Sequence, residues 1–177
     1  MGLYLKSNKS IGVDISKNQI EYAKAQYPEK TFYTVEEFEN LSKKNTFDTI
    51  TVIGLLEFLS DEEILDLITY LKTLLKKEGN IIFSTPNFKS SMKLFSKLLK
   101  YLSPISYEDE WISKKGKKDF FQLFYENNIH NFSIENHINF GIIFSFFNLN
   151  FGTKTSQTIA KIFNYKIGWI LLIKLSK

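Results

Sequence analysis

Through its first half the chain alternates short β-branched or aromatic runs with longer stretches whose apolar residues recur at helical spacing. That alternation restricts it to βαβ units and a largely parallel sheet. Residues 10–14 read as a strand ending in an acid. Ser16 then opens a helix with Ile20, Ala23 and Tyr27 on one face, and Pro28 ends it. Residues 31–35 form a second, shorter strand. FDTITVI at 47–53 is the nearly uninterrupted apolar run of a strand covered on both faces, so a central strand closed by Gly54 is expected. Ser60, Asp61, Glu62 and Glu63 cap the next helix, because a hydroxyl and acids satisfy free amides and the dipole at a helix start. That helix is expected to run through Leu65, Ile68, Leu71 and Leu75, with Lys72, Lys76, Lys77 and Gly79 as its C-terminal signals. Residues 80–84 form another strand, stopped by Thr85, Pro86 and Asn87.

The pattern changes at residues 88–118, an amphipathic stretch with Met92, Phe95, Leu98, Leu99 and Leu102 followed by a polar loop containing Trp111. It reads as an insertion on the substrate side. Asp119 starts a short helix, residues 132–137 read as a strand, and WILLIKL at 169–175 as a terminal strand completing the sheet. With 177 residues, 44% of them hydrophobic and 24% charged, the whole chain (1–177) is expected to be a single domain around one core.

The absence of cysteine removes disulfides, thiolate metal sites and cysteine nucleophiles, and fits a cytoplasmic protein. The net charge of +4 comes from lysines scattered along the chain, the pattern of a solvated surface rather than a nucleic-acid groove, so no specific nucleic-acid partner is expected. No membrane span is expected either, since no apolar run reaches the ~20 residues one requires. The most apolar stretch, 138–151, is broken by Asn139, Ser145, Asn148 and Asn150 and reads as buried structure or a substrate wall, with association to a membrane surface as the alternative. His130 and His137 do not stand with acids at metal-ligand spacing, so core or surface roles are favoured and no metal is implied.

Four segments fall where a doubly wound sheet places the carboxyl ends of its strands: IGVDIS at 11–16, FDTITVIGLLEFLSDEE at 47–63, LKKEGNIIFSTPN at 75–87 and GWILLIKLSK at 168–177. Together they resemble the second, fourth, fifth and last strands of class I S-adenosylmethionine-dependent methyltransferases. LLEFL and FSTPN are similar to the subgroup that methylates quinones, sugars and other small molecules. The resemblance implies a Rossmann-like, mostly parallel sheet with an antiparallel last strand. It also implies S-adenosyl-L-methionine as cofactor and a small-molecule or lipid- or sugar-linked methyl acceptor.

Residue by residue, the resemblance assigns cofactor binding to Asp14 with the adjoining Ile15, to Glu36, and to Ile53 with Gly54. An acid ending a strand can accept both ribose hydroxyl protons, while the competing role for Asp14 is to cap the following helix. Glu36 would approach the adenine amino group, although VEEF offers two acids and either could simply open a helix. Gly54 would let the backbone approach the cofactor or serve the turn. Glu57 matches the acid of the LEH phrase in many relatives, but Phe58 stands in place of their histidine. Phenylalanine cannot act as a general base. Positioning supplies most of the rate of methyl transfer from a sulfonium, so no catalytic residue is assigned.

The family's first strand and glycine-rich loop have no counterpart in the sequence, and the opening MGLYLK resembles the end of such a loop, with Gly2 its last glycine. Removal of a central strand exposes the edges beside it, which predicts an N-terminally truncated fold that gains from a partner chain completing the sheet. The explanations left open are a reading frame started late or broken by mutation, a fragment, and a degenerate domain that borrows another chain. Two functional alternatives stand beside methyl transfer: a non-catalytic binding or scaffolding module, and a dinucleotide or nucleotide-sugar enzyme of similar architecture.

Overall fold

Alternation of strands and helices runs through the computed structural model, which describes residues 10–41, 43–89, 112–137 and 168–177, with Thr158 and Ile162 as isolated positions. Gly2, the stretch from Met92 to Leu102, Trp111 and the apolar run at 138–151 lie outside the described residues. The backbone divides into two units, Met1–Lys44 and Asn45–Lys177.

In the first unit, β1 (Ile11–Asp14) pairs in parallel with β2 (Thr31–Thr34), in register from Ile11 opposite Thr31 to Asp14 opposite Thr34. The crossover is α1 (Lys17–Gln26), whose N-cap Ser16 accepts from the Gln19 N–H at 3.4 Å. Ile20 is buried as expected, Ala23 is half-buried, and Tyr27 lies outside the helix and is exposed. A short helix, α2 (Val35–Glu39), follows β2 directly and buries Phe38.

In the second unit, four strands run in the order β3 (Phe47–Ile53), β4 (Leu75–Pro86), β6 (Ile170–Ser176), β5 (Phe132–His137). β3 and β4 are parallel, while β6 runs antiparallel to both of its neighbours. The fold is therefore mixed α/β, mostly parallel with an antiparallel last strand, as the sequence implied. Helix α3 (Asp61–Leu74) starts in a capping box: the Glu63 N–H donates to Ser60 Oγ at 3.3 Å, and the Ser60 N–H to Glu63 Oε2 at 2.8 Å. Ile64, Ile68 and Leu71 recur at helical spacing and are buried with Leu74. Helix α4 (Lys117–Glu126) buries Phe120, Leu123 and Phe124, and the Phe124 ring meets the edge of Phe132 at 5.2 Å. Its start precedes Asp119, whose carboxylate accepts from the Gly116 N–H at 2.7 Å.

Two expectations need correction. FDTITVI forms a strand, but not a central one. Among the described residues β3 pairs only with β4, at the edge of the four-stranded sheet, and none of its residues is buried. The helix expected to reach Leu75 ends at Leu74, and β4 begins at once. Leu75 is fully buried and pairs with Phe47, which draws it into the sheet. Lys76, Lys77 and Gly79, read as helix-ending signals, instead lie in a bulge before the regular pairing resumes at Thr49 opposite Asn80.

The core follows strand alternation. Ile81, Leu175 and Phe132 form one cross-strand row, and Phe83, Ile173 and Ile134 form the next. Among the described residues no helix is long and apolar enough to cross a membrane.

Candidate functional site

The row beyond Phe83, Ile173 and Ile134 on the same face is Thr85, Leu171 and Asn136, where apolar packing gives way to polar groups. Among the described residues the buried polar side chains are Glu57, Thr85, Asn87, Ser113 and Asn136. All five gather at the end of the second unit where β3, β4 and β5 finish. Burial of polar groups is costly unless they are bonded: here Thr85 donates to Glu57, Asn87 to Asn136, and Ser113 Oγ accepts from Lys115 Nζ at 2.7 Å. Asn87 Nδ2 donates to Asn136 Oδ1 at 2.9 Å and to the Gly168 carbonyl at 3.3 Å, while the Asn87 N–H donates to the Trp169 carbonyl at 2.7 Å. One side chain therefore ties the ends of β4 and β5 to the chain entering β6. Gly168 is required there: a Cβ on it would stand 2.5 Å from the His137 backbone.

Ile53 ends β3 and is 55% exposed. Gly54 has φ +62°, a left-handed conformation that suits glycine, and its N–H donates to the Ser84 carbonyl at 2.9 Å. The chain then makes a 3₁₀ turn, Leu56–Phe58, which turns Leu56 and Glu57 inward and leaves Phe58 partly exposed. Glu57 is only 7% exposed and its Oε2 accepts from Thr85 Oγ1 at 3.1 Å. Burial pushes its pKa above the ordinary glutamate value, against weaker opposing contributions from its own backbone N–H and from Thr85. Residues 112–116 cross the same end. The Ser113 N–H donates to the Glu57 carbonyl at 3.0 Å and the Phe88 N–H to the Lys115 carbonyl at 3.2 Å, while Lys115 Nζ lies 2.5 Å from Asp61.

In the first unit, Asp14 ends β1, and its Oδ1 accepts from the Ser16 N–H at 2.8 Å. The helix cap itself is Ser16, so the competing capping role for Asp14 reduces to one bond at the turn. Ile15 is 87% exposed. Of the two acids in VEEF, Glu37 closes a capping box at α2: the Thr34 N–H donates to Glu37 Oε2 at 2.8 Å, and the Glu37 N–H to Thr34 Oγ1 at 3.2 Å. Those bonds, the Thr34 N–H foremost, hold the Glu37 pKa below the ordinary value. Glu36, beside it in α2, is exposed. Asp14, Ile15 and Glu36 thus lie in one unit, and Ile53 and Gly54 in the other.

Sequence reasoning singled out LLEFL and STPN as phrases but did not find that they meet. The joint signal was available, since Glu57 and Thr85 each lie a few residues past the end of a regular apolar run in adjacent parallel strands. Ser113 and Asn136 carry no comparable signal. His130 is exposed and meets the edge of Tyr125, while His137 is half-buried with its Nε2 3.2 Å from Glu135 Oε2. Among the described residues no group of three or more histidines and acids could hold a metal ion. An open hollow at the opposite end of the sheet is lined by Asn45, Lys76, Lys77 and Lys177, away from all of these groups.

A methyltransferase domain family matches residues 3–79, a span holding β1, β3, Asp14, Glu36, Gly54 and Glu57. No curated protein matches the sequence. Among solved structures, an S-adenosylmethionine-dependent methyltransferase from Archaeoglobus fulgidus superposes with a TM-score of 0.59 at 16% identity, over 95% of this chain and 76% of that one. Another from Thermotoga maritima, described as a possible histamine N-methyltransferase, gives 0.59 at 16% identity over 94% and 72%. A plantazolicin methyltransferase in complex with S-adenosylhomocysteine gives 0.56 at 17% identity over 94% and 67%. At such identities the likeness to these structures carries the fold. The chain has the class I methyltransferase fold, and the family match takes in the first two of the four strand segments in full.

Proposed function

We propose that this chain binds S-adenosylmethionine and transfers its methyl group to a small-molecule or lipid- or sugar-linked acceptor in the cytoplasm. The observation that carries the reading is the methyltransferase domain match over residues 3–79, in which the acid ending β1 and the glycine ending β3 both fall. The cofactor supplies an electrophilic methyl on a sulfonium. Asp14, exposed and with Oδ1 engaged at the turn, would take the ribose hydroxyls beside the exposed Ile15. Glu36 would meet the adenine amino group, and the Ile53–Gly54 backbone would pass along the cofactor. Residues 88–118 and 138–151 would wall an apolar acceptor site.

Among the described residues β3 pairs only with β4, which favours a second reading, in which a strand from a partner chain completes the sheet and the domain serves as a binding or scaffolding module. Calorimetric titration with S-adenosylhomocysteine separates the two. Methyl transfer by this chain predicts saturable binding that Asp14→Asn weakens about tenfold, the effect of losing a charge-assisted bond. A folded chain that does not bind sinks the catalytic reading and leaves the module.

A further inference from the structure

Glu57 is the one buried carboxyl group among the described residues, and the described ions around it do not neutralise it. Lys115 on the crossing segment is paired with Asp61 at the start of α3. The one described side chain that hydrogen-bonds the Glu57 carboxyl is the neutral Thr85, through Oε2. Its other oxygen, Oε1, faces Gly54, where a Cβ would stand 3.6 Å away. A buried acid without a cation is costly to keep if it serves packing alone, because an amide of the same shape would accept the Thr85 bond without the charge.

We propose that Glu57 receives the proton of the methyl acceptor, so that the acceptor is one whose nucleophile carries an O–H or N–H. The inference rests on the methyl-transfer reading and deepens it. In the step, the acceptor oxygen or nitrogen forms its bond to the methyl carbon. The carbon–sulfur bond breaks with its electron pair leaving on sulfur, and the acceptor proton passes to Glu57 Oε1. A sulfonium and a carboxylate become a neutral thioether and a carboxylic acid. Thr85 positions the carboxyl through Oε2 and keeps Oε1 turned toward Gly54. The raised pKa of Glu57 suits a group that must take up a proton.

Sinefungin, an S-adenosylhomocysteine analogue with an ammonium group where the transferred methyl stands, probes the carboxylate without turnover. Calorimetry on the intact chain is expected to show sinefungin bound on the order of tenfold more tightly than S-adenosylhomocysteine. Glu57→Gln, which keeps the shape and the Thr85 bond, should bring the two affinities to near parity while leaving that for S-adenosylhomocysteine within about twofold. In Thr85→Val the preference should persist but set in at higher pH, because the lost hydrogen bond favoured the ionised form. An unchanged preference in folded Glu57→Gln, or equal loss of both ligands, overturns the assignment and leaves the methyl-transfer reading standing. Absence of S-adenosylhomocysteine binding in the parent chain overturns both.

Discussion

The two units divide the work unequally. Of the buried apolar side chains described, the first unit holds Ile20 and Phe38, whereas the second holds the remaining fifteen, from Leu56 to Leu175. Two strands and two short helices around two buried side chains fall below what is independently stable in water, while four strands packed against helices do not. Yet the smaller unit carries Asp14, the acid proposed to hold the ribose. Among the described residues the apolar core is concentrated in the unit that holds the polar cluster, while the proposed nucleoside contacts belong to the unit with the smaller described core.

The largest test of that division is Phe83→Ala, which empties a fully buried position in the central strand β4 and should cost about 3–5 kcal/mol in denaturant unfolding. Ile20→Ala should instead leave the main transition nearly in place and speed amide exchange in β1 and β2. Equal loss from both would break the comparison. A smaller effect is expected of Asn87→Ala, which removes both side-chain bonds to Asn136 and Gly168 and should lower stability by about 2–3 kcal/mol in the same assay.

Glu57→Gln has the opposite sign. The raised pKa of Glu57 means that the folded state binds the proton more tightly than the unfolded chain. The stability it contributes is therefore complete below the ordinary value of 4.5 and is lost as pH rises through the folded value. At pH 7 the amide should raise Tm, and the gain should vanish when melting is repeated near pH 4. A gain at both pH values would show that packing, and not charge, sets the effect.

Much of this fold was legible in the sequence because each element carries its own punctuation. Ser16 and Ser60 mark helix starts, and WILLIKL locates the last strand to within a residue. The failures came where a neighbour decides. Lysines and a glycine after α3 signal a helix end in any local scan, and only the pairing of Leu75 with Phe47 makes them a bulge. β3 has the composition of a covered strand, but coverage is a property of what pairs with it. For the candidate site, Asp14 could be singled out by residue type and place, and Glu57 only as a match to the acid of a family phrase. The partners of Glu57 could not, since Thr85 and Ser113 are brought to it by register and by the path of residues 112–116.

That path also decides where the chain tolerates a change of length. Phe88 and Lys115 are joined by a backbone hydrogen bond, and Lys89 pairs with Asp119 across the same gap. Chain leaving at residue 90 and rejoining at residue 111 therefore departs from and returns to a closed junction. Doubling it would add only about 0.6 kcal/mol of closure entropy and need not disturb a strand. The junction of α3 with β4 has no such freedom: Leu74 ends the helix and Leu75 begins the strand, so deletion of a single residue would turn every side chain of β4 to the wrong face. In this molecule a change of length can be absorbed between residues 89 and 112, while the neighbouring connection is fixed to the residue.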